Sequence, residues 1–230
     1  MAETEFARSR VAGLILAGGQ GARMHHQDKG LVELRGEPMV AHIARRLAPQ
    51  VGRLIISANR HPERYAQYGD VVADGEHDLG AWQGPLVGIA TALQRLDAAG
   101  AAAAAFPADA SLAVTAQPAR PASEWLVVAP CDTPFLPADL AARLIGAAAA
   151  AGAPMAYAAA NGQRHSACMA LRTSLLNTLR EYLRAGDRKV GLWQARAGAV
   201  EANFDDAPPH AFMNVNTPED LAVAERYASQ

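Results

Sequence analysis

Gly18, Gly19 and Gly21 follow the apolar run Leu14-Ile15-Leu16-Ala17, and Arg23 and Lys29 come close behind them. Glycines in a turn let backbone amides approach an anion closely, and nearby cations add fixed positive charge. These residue types point to phosphate chemistry. A second group lies far along the chain. Asp132 directly follows the apolar run Trp125–Ala129 through Pro130 and Cys131. A lone carboxylate at such a place suits Mg²⁺, which binds one or two carboxylates together with substrate phosphates. An aspartate two residues before Pro134 also suits a helix cap. Asp74 closes the run Val71-Val72-Ala73, and Ser57 and Asn59 close Arg53–Ala58. Asn214 and Asn216 alternate just ahead of Thr217-Pro218-Glu219, where a helix start favours anions.

Two familiar phosphate loops do not fit. The P-loop requires Gly-Lys-Ser/Thr, and Lys29 stands instead between Asp28 and Gly30. The dinucleotide fingerprint requires a third glycine where Met24 stands, and an acid after the next strand where Ser57, Ala58 and Asn59 stand. Redox chemistry on a dinucleotide is therefore disfavoured.

A third pattern does fit: Leu16-Ala17-Gly18-Gly19, then Arg23-Met24, then Asp28-Lys29. With Pro130-Cys131-Asp132-Thr133-Pro134 and Asn214-Val215-Asn216-Thr217-Pro218-Glu219, it resembles the nucleotidyltransferases that move a nucleoside monophosphate from an NTP. The double glycine and the Arg-Met spacing are most similar to the molybdenum cofactor guanylyltransferases. The resemblance implies that Leu16, Ala17, Gly18, Gly19 and Lys29 hold nucleotide phosphates, with Ser57, Asn59, Asp74 and Asp132 completing the nucleotide site. It implies catalytic roles for Arg23, Lys29 and Asp132, with Mg²⁺ on Asp132. It places His165, Arg188, Asn214 and Asn216 on the side of the second substrate. The implied reaction transfers GMP from GTP to molybdopterin and releases pyrophosphate. Neighbouring possibilities are CTP as donor, a sugar phosphate as acceptor, or a non-catalytic protein that binds GTP or the cofactor. Transient contact with molybdenum-insertion proteins or acceptor molybdoenzymes also follows from the resemblance. This chain departs from the family at His25 and His26, where glycine is usual, at Ser57, where asparagine is frequent, and at Ser166, where proline is common.

These residues need a scaffold that brings them together. Val11–Leu16, Arg53–Ala58, Val71–Ala73 and Trp125–Ala129 read as buried strands. Between them, Pro38–Gln50, Gly84–Leu96 and then Leu136–Ala151 read as helices. Such alternation predicts an α/β, Rossmann-like doubly wound and mostly parallel sheet, with its ligand beyond the carboxyl ends of the strands. Asn161-Gly162 between Met155–Ala160 and His165–Leu171 predicts a hairpin, a small antiparallel appendage. Thr173–Arg184 and Thr217–Tyr227 read as further helices, the latter capped by Thr217 with Pro218 at its first position.

The whole of 1–230 reads as a single domain with an N-terminal tail over 1–10 and an alanine- and proline-rich insertion over 97–123. That insertion is expected to be a surface loop, with a short helix at Ala101–Ala105. A hydrophobic content of 50% excludes wholesale disorder. A net charge of −2 offers no basic footprint for nucleic acid. Cys131 and Cys168 fit neither a zinc spacing nor a disulfide framework. The polar start and the glycine-broken alanine run at Leu144–Ala160 argue against a signal peptide and a membrane span, so a cytoplasmic setting is expected.

Overall fold

Val11–Leu16 forms β1, an inner strand of the sheet buried along nearly its whole length. The computed structural model describes residues 7–18, 28–73, 84–104 and 122–228. After β1 come two short strands, β2 (Glu33–Leu34) and β3 (Glu37–Pro38), then α1 (Met39–Leu47), β4 (Arg53–Ser57), α2 (Pro62–Tyr65) and β5 (Asp70–Val72). The second half holds α3 (Pro85–Ala104), β6 (Trp125–Pro130), α4 (Leu140–Ala150), β7 (Met155–Ala160) and β8 (Gln163–Arg172). It closes with α5 (Leu176–Arg184), α6 (Val190–Arg196), β9 (Val200–Asn203) and α7 (Pro218–Tyr227).

The main sheet has seven strands in the order β5-β4-β1-β6-β8-β7-β9. The pairs β5–β4, β4–β1, β1–β6 and β7–β9 are parallel, whereas β8 is antiparallel to both its neighbours. Successive side chains of a strand face opposite sides, and β1 shows the result. Val11 and Ile15 join Ile43 and Leu47 of α1 and Leu140 and Leu144 of α4 in one core. Ala12 and Leu14 join Leu86, Ile89 and Leu93 of α3 and Leu179 and Leu183 of α5 in the other. Both faces of the sheet are thus covered by helices, as the continuous apolar strands require.

The Asn161-Gly162 hairpin forms with φ of 52° and 73°, the pair of positive values that a two-residue type I′ turn demands. It is not set beside the sheet. β8 is inserted between β6 and β7, so the hairpin is part of the main sheet. The separate two-stranded antiparallel sheet is β2–β3, turned by Arg35 and Gly36 at φ of 53° and 77°. Helix α4 begins at Leu140, later than the apolar pattern from Leu136, because Pro137 disfavours helical backbone at Leu136 and a turn closed by the Leu140 N–H on the Pro137 carbonyl at 3.3 Å comes first. Helix α3 runs on to Ala104, so the first part of the alanine-rich segment continues that helix instead of leaving it as a loop. Alanine is the strongest helix former, and its run carries the helix through Gly100. Residues 105–121 lie outside the described residues. No helix among the described residues is long and apolar enough to cross a membrane.

Gln50 ties the end of α1 to the start of α4. Its buried amide donates to the carbonyls of Arg46 at 2.8 Å and Pro137 at 2.9 Å, and its Oε1 accepts from the Ala141 N–H at 2.8 Å. Gln50→Leu strands these groups away from water and is expected to lower stability by about 1–3 kcal/mol, read from urea denaturation.

Candidate active site

The chain leaves β1 toward β4 and β5 on one side, then returns through α3 to β6 on the other. The carboxyl ends of β1 and β6 therefore flank the point where the sheet order reverses, the place where open α/β sheets take ligands. Leu16 and Ala17 are fixed there by both neighbours. The Ala17 N–H donates to the Ser57 carbonyl at 2.8 Å, and the Cys131 N–H donates to the Leu16 carbonyl at 3.0 Å. Gly18 follows, half-buried. Gly19, Arg23, His25, His26 and Asp74 lie outside the described residues.

Lys29 enters from the chain's return toward the sheet. Its Nζ donates to Asn216 Oδ1 and stands 3.5 Å from Asp132 Oδ2. Burial pushes the Asp132 carboxyl above the usual carboxylate range, with Lys29 working in the opposite sense. A carboxylate so desolvated gains from any further cation brought to it.

The two asparagines are held by the same strand end. The Val215 N–H donates to the Asp132 carbonyl at 2.8 Å, and Thr133 Oγ1 donates to Asn214 Oδ1 at 2.7 Å. Asn214-Val215-Asn216 thus lies across Asp132-Thr133. Helix α7 fixes its other end through a capping box. Thr217 Oγ1 accepts from the Asp220 N–H at 3.1 Å, while Asp220 Oδ2 accepts from the N–H groups of Thr217 at 3.0 Å and Asn216 at 2.9 Å.

A cavity of about 250 Å³ opens beside Asp132, and the register of the hairpin explains it. Tyr157 faces Met169 while Ala158 faces His165, so Ser166, Ala167 and Cys168 have no opposite number on β7. Pairing of β8 with β6 runs from Trp125 to Val128 and stops there. The bulge bends β8 away, and the space left is lined by Asp132, Thr133, Asn214, Phe212 and the residues from Gln163 to Cys168. His165 stacks on Phe212 with centroids 4.5 Å apart and an interplanar angle of 18°. Burial holds its pKa below the ordinary histidine value.

Gln194 of α6, wholly buried, secures this bulge. Its Oε1 accepts from Arg164 Nη2 at 2.8 Å, and its Nε2 donates to the Ser166 carbonyl at 2.9 Å. Nothing in the sequence marked Gln194 or Phe212. Arg188 is placed at the end of α5, where Nη1 donates to the carbonyls of Leu183 at 2.6 Å and Asp187 at 2.8 Å. Ser57 is buried beneath α3, and only glycine at 88 permits that approach. A Cβ there would lie 2.6 Å from Ser57 Oγ. Asn59 is half-buried just beyond β4.

Among the described residues, no three His, Cys, Asp or Glu side chains converge as a ready-made metal cage. Among the described residues Asp132 is the acid that lines the cavity, a donor that fits a hard cation sharing its shell with phosphates and water. Cys131 and Cys168 are buried thiols whose pKa values burial raises, so they serve as core residues.

A family profile described as the MobA-like NTP transferase domain matches residues 13–200. A protein of Shewanella amazonensis named molybdenum cofactor guanylyltransferase is 38% identical over 221 residues, covering 96% of this chain and 98% of its own. One of the same name from Shewanella halifaxensis is 39% identical over 212 residues, covering 92% of each chain. In fold, the chain is similar to the crystal structure of molybdopterin-guanine dinucleotide biosynthesis protein A from Archaeoglobus fulgidus. The TM-score is 0.69 at 19% identity, with 95% of this chain and 98% of that one covered.

The cap that fixes Asn216 can be tested alone. Thr217→Ala is expected to cost about 1 kcal/mol in urea denaturation, the usual worth of a threonine N-cap.

Proposed function

The chain belongs to the MobA-like NTP transferase family, and from that premise we propose that it transfers GMP from GTP to molybdopterin. The terminal phosphate oxygen of molybdopterin forms a bond to the α-phosphorus of GTP. The bond from that phosphorus to the bridging oxygen breaks, and pyrophosphate leaves with the electron pair. The product is the guanine dinucleotide form of the cofactor. The guanylyltransferase name shared by relatives at 38–39% identity favours GTP over CTP, and molybdopterin over a sugar phosphate. The observation that carries the reading is Lys29 held between Asn216 and Asp132 at the carboxyl ends of β1 and β6.

The attacking group is already an anion, so no strong general base is needed. The protein must align two anions and offset the charge that grows on the leaving pyrophosphate. The Ala17 N–H is taken by the Ser57 carbonyl, so the phosphates fall to the main chain at Gly18 and Gly19, which Leu16 and Ala17 anchor, with Lys29 and, by its place in the motif, Arg23. Ser57, Asn59 and Asp74 are assigned to the nucleoside by their places in the motif. Asp132 would hold a divalent cation, which we take to be Mg²⁺, and a bound cation would draw negative charge from the triphosphate. The cavity beside Asp132 suits the acceptor, with Asn214 and His165 on its wall. Asn216 reaches Lys29, while Arg188, given to the second substrate by its place in the motif, has its guanidinium on the Leu183 and Asp187 carbonyls. We place the reaction in the cytoplasm, with the product passing to molybdoenzymes directly or through insertion proteins.

Asp132→Ala and Lys29→Ala are each expected to lower turnover by about 10²–10³-fold, the loss typical of a preorganised charge contact. Both should fold, and pyrophosphate release from GTP and molybdopterin measures the effect. Chelation of divalent cations should stop wild-type turnover, and magnesium should restore it. GTP with magnesium at a hundred times its dissociation constant should stabilise the fold by about 2.7 kcal/mol, more than CTP, ATP or UTP at the same concentration. Equal stabilisation by all four would overturn the choice of GTP.

A further inference from the structure

Asp28, the neighbour of Lys29, is bound to a residue that the reaction does not call for. Tyr65, at the end of α2, is fully buried, and its hydroxyl donates to Asp28 Oδ1. The bond joins points 37 residues apart. Burial first, and the Asp28 bond second, drive the Tyr65 hydroxyl pKa upward, so it stays a proton donor throughout the pH range of enzymes. The turn that carries Lys29 is pressed against this ring. At Gly30 a Cβ would lie 2.5 Å from the Tyr65 oxygen and 3.0 Å from its Cε1. The Asp28 carbonyl closes the turn by accepting from the Leu31 N–H at 2.9 Å. Glycine at 30 is therefore required by Tyr65, and Tyr65 in turn holds the side chain immediately before Lys29.

A lysine carries its charge on a flexible four-carbon stem and needs such fixing more than an arginine does. A free carboxylate one residue away would compete for that charge. Only two of the chain's 21 cationic residues are lysines, Lys29 and Lys189.

We propose that Tyr65 is a positioning residue for Lys29. Its hydroxyl fixes the Asp28 carboxylate, and with it the turn, so that the ammonium is delivered to Asn216 and Asp132 and not drawn aside. The inference rests on the role given to Lys29 under the proposed function, but its central test does not need turnover.

Acetic anhydride labels lysine amines, and peptide mass spectrometry reads both sites in this chain. Lys189 is exposed and serves as the internal standard. In the wild-type protein Lys29 is expected to react several-fold more slowly than Lys189. Tyr65→Phe keeps the ring and removes only the hydroxyl. It should raise the Lys29-to-Lys189 ratio several-fold while the protein still melts cooperatively. Asp28→Ala, made in parallel, should raise the ratio equally, and combining the two should add nothing. It also decides the matter if Tyr65→Phe does not fold. Turnover of Tyr65→Phe should fall about tenfold, a loss within the usual coupling between contacting groups. That loss should vanish in a Lys29→Ala background, whereas a purely structural defect would persist there. A wild-type ratio in folded Tyr65→Phe or Asp28→Ala would overturn the inference. A wild-type protein that releases no pyrophosphate would instead overturn the functional reading and leave the labelling result standing.

Discussion

An ammonium and a carboxylate, both mostly withdrawn from water, stand 3.5 Å apart at the end of the sheet, and the rest of the fold is arranged to keep them there. Lys29 comes from the segment after β1, Asp132 from the end of β6, and Asn216 from the approach to α7. None of these segments would hold its side chain alone. Desolvation raises the carboxyl and the ammonium only partly opposes it, so the pair is not a strong source of stability.

The parallel half of the sheet and the inserted β8 divide the labour. β5, β4, β1 and β6 are parallel and carry Leu16–Gly18 and Asp132 at their carboxyl ends. β8 runs the other way, and its three extra residues bend it off β6 just short of Asp132. One irregularity in pairing thereby opens the cavity beside Asp132. Gln194 holds that irregularity from the helix above, spending a fully buried amide on it. An unpaired amide at that depth would cost more than the bonds it makes here contribute.

What the sequence disclosed follows from how local each signal is. β1, β6 and the Asn161-Gly162 turn were legible because apolar runs and turn chemistry act within a few residues. The loop and the segments around Asp132 and Asn216 were legible as motifs, and the structure brings Lys29, Asp132 and Asn216 into one place. The position of β8 between β6 and β7 was not legible, since pairing partners far apart in the chain leave no periodic trace. Gln194 was hidden because a single polar residue in a short helix looks like a solvated one until its neighbours are known. Tyr65 was hidden because its partner lies 37 residues away. The start of α4 was misplaced because the apolar pattern continues through Pro137, which disfavours helical backbone at Leu136 just before it.

Asn216 reaches Lys29 across 187 residues of chain. A ribosome delivers Lys29 long before Asn216. While β1, β4, β5 and β6 are already able to pair, Lys29 faces Asp132 with no third member to hold its ammonium. The site is therefore completed only once Asn216 has emerged, and a chain released before that point would carry the parallel strands without the constellation at their rim.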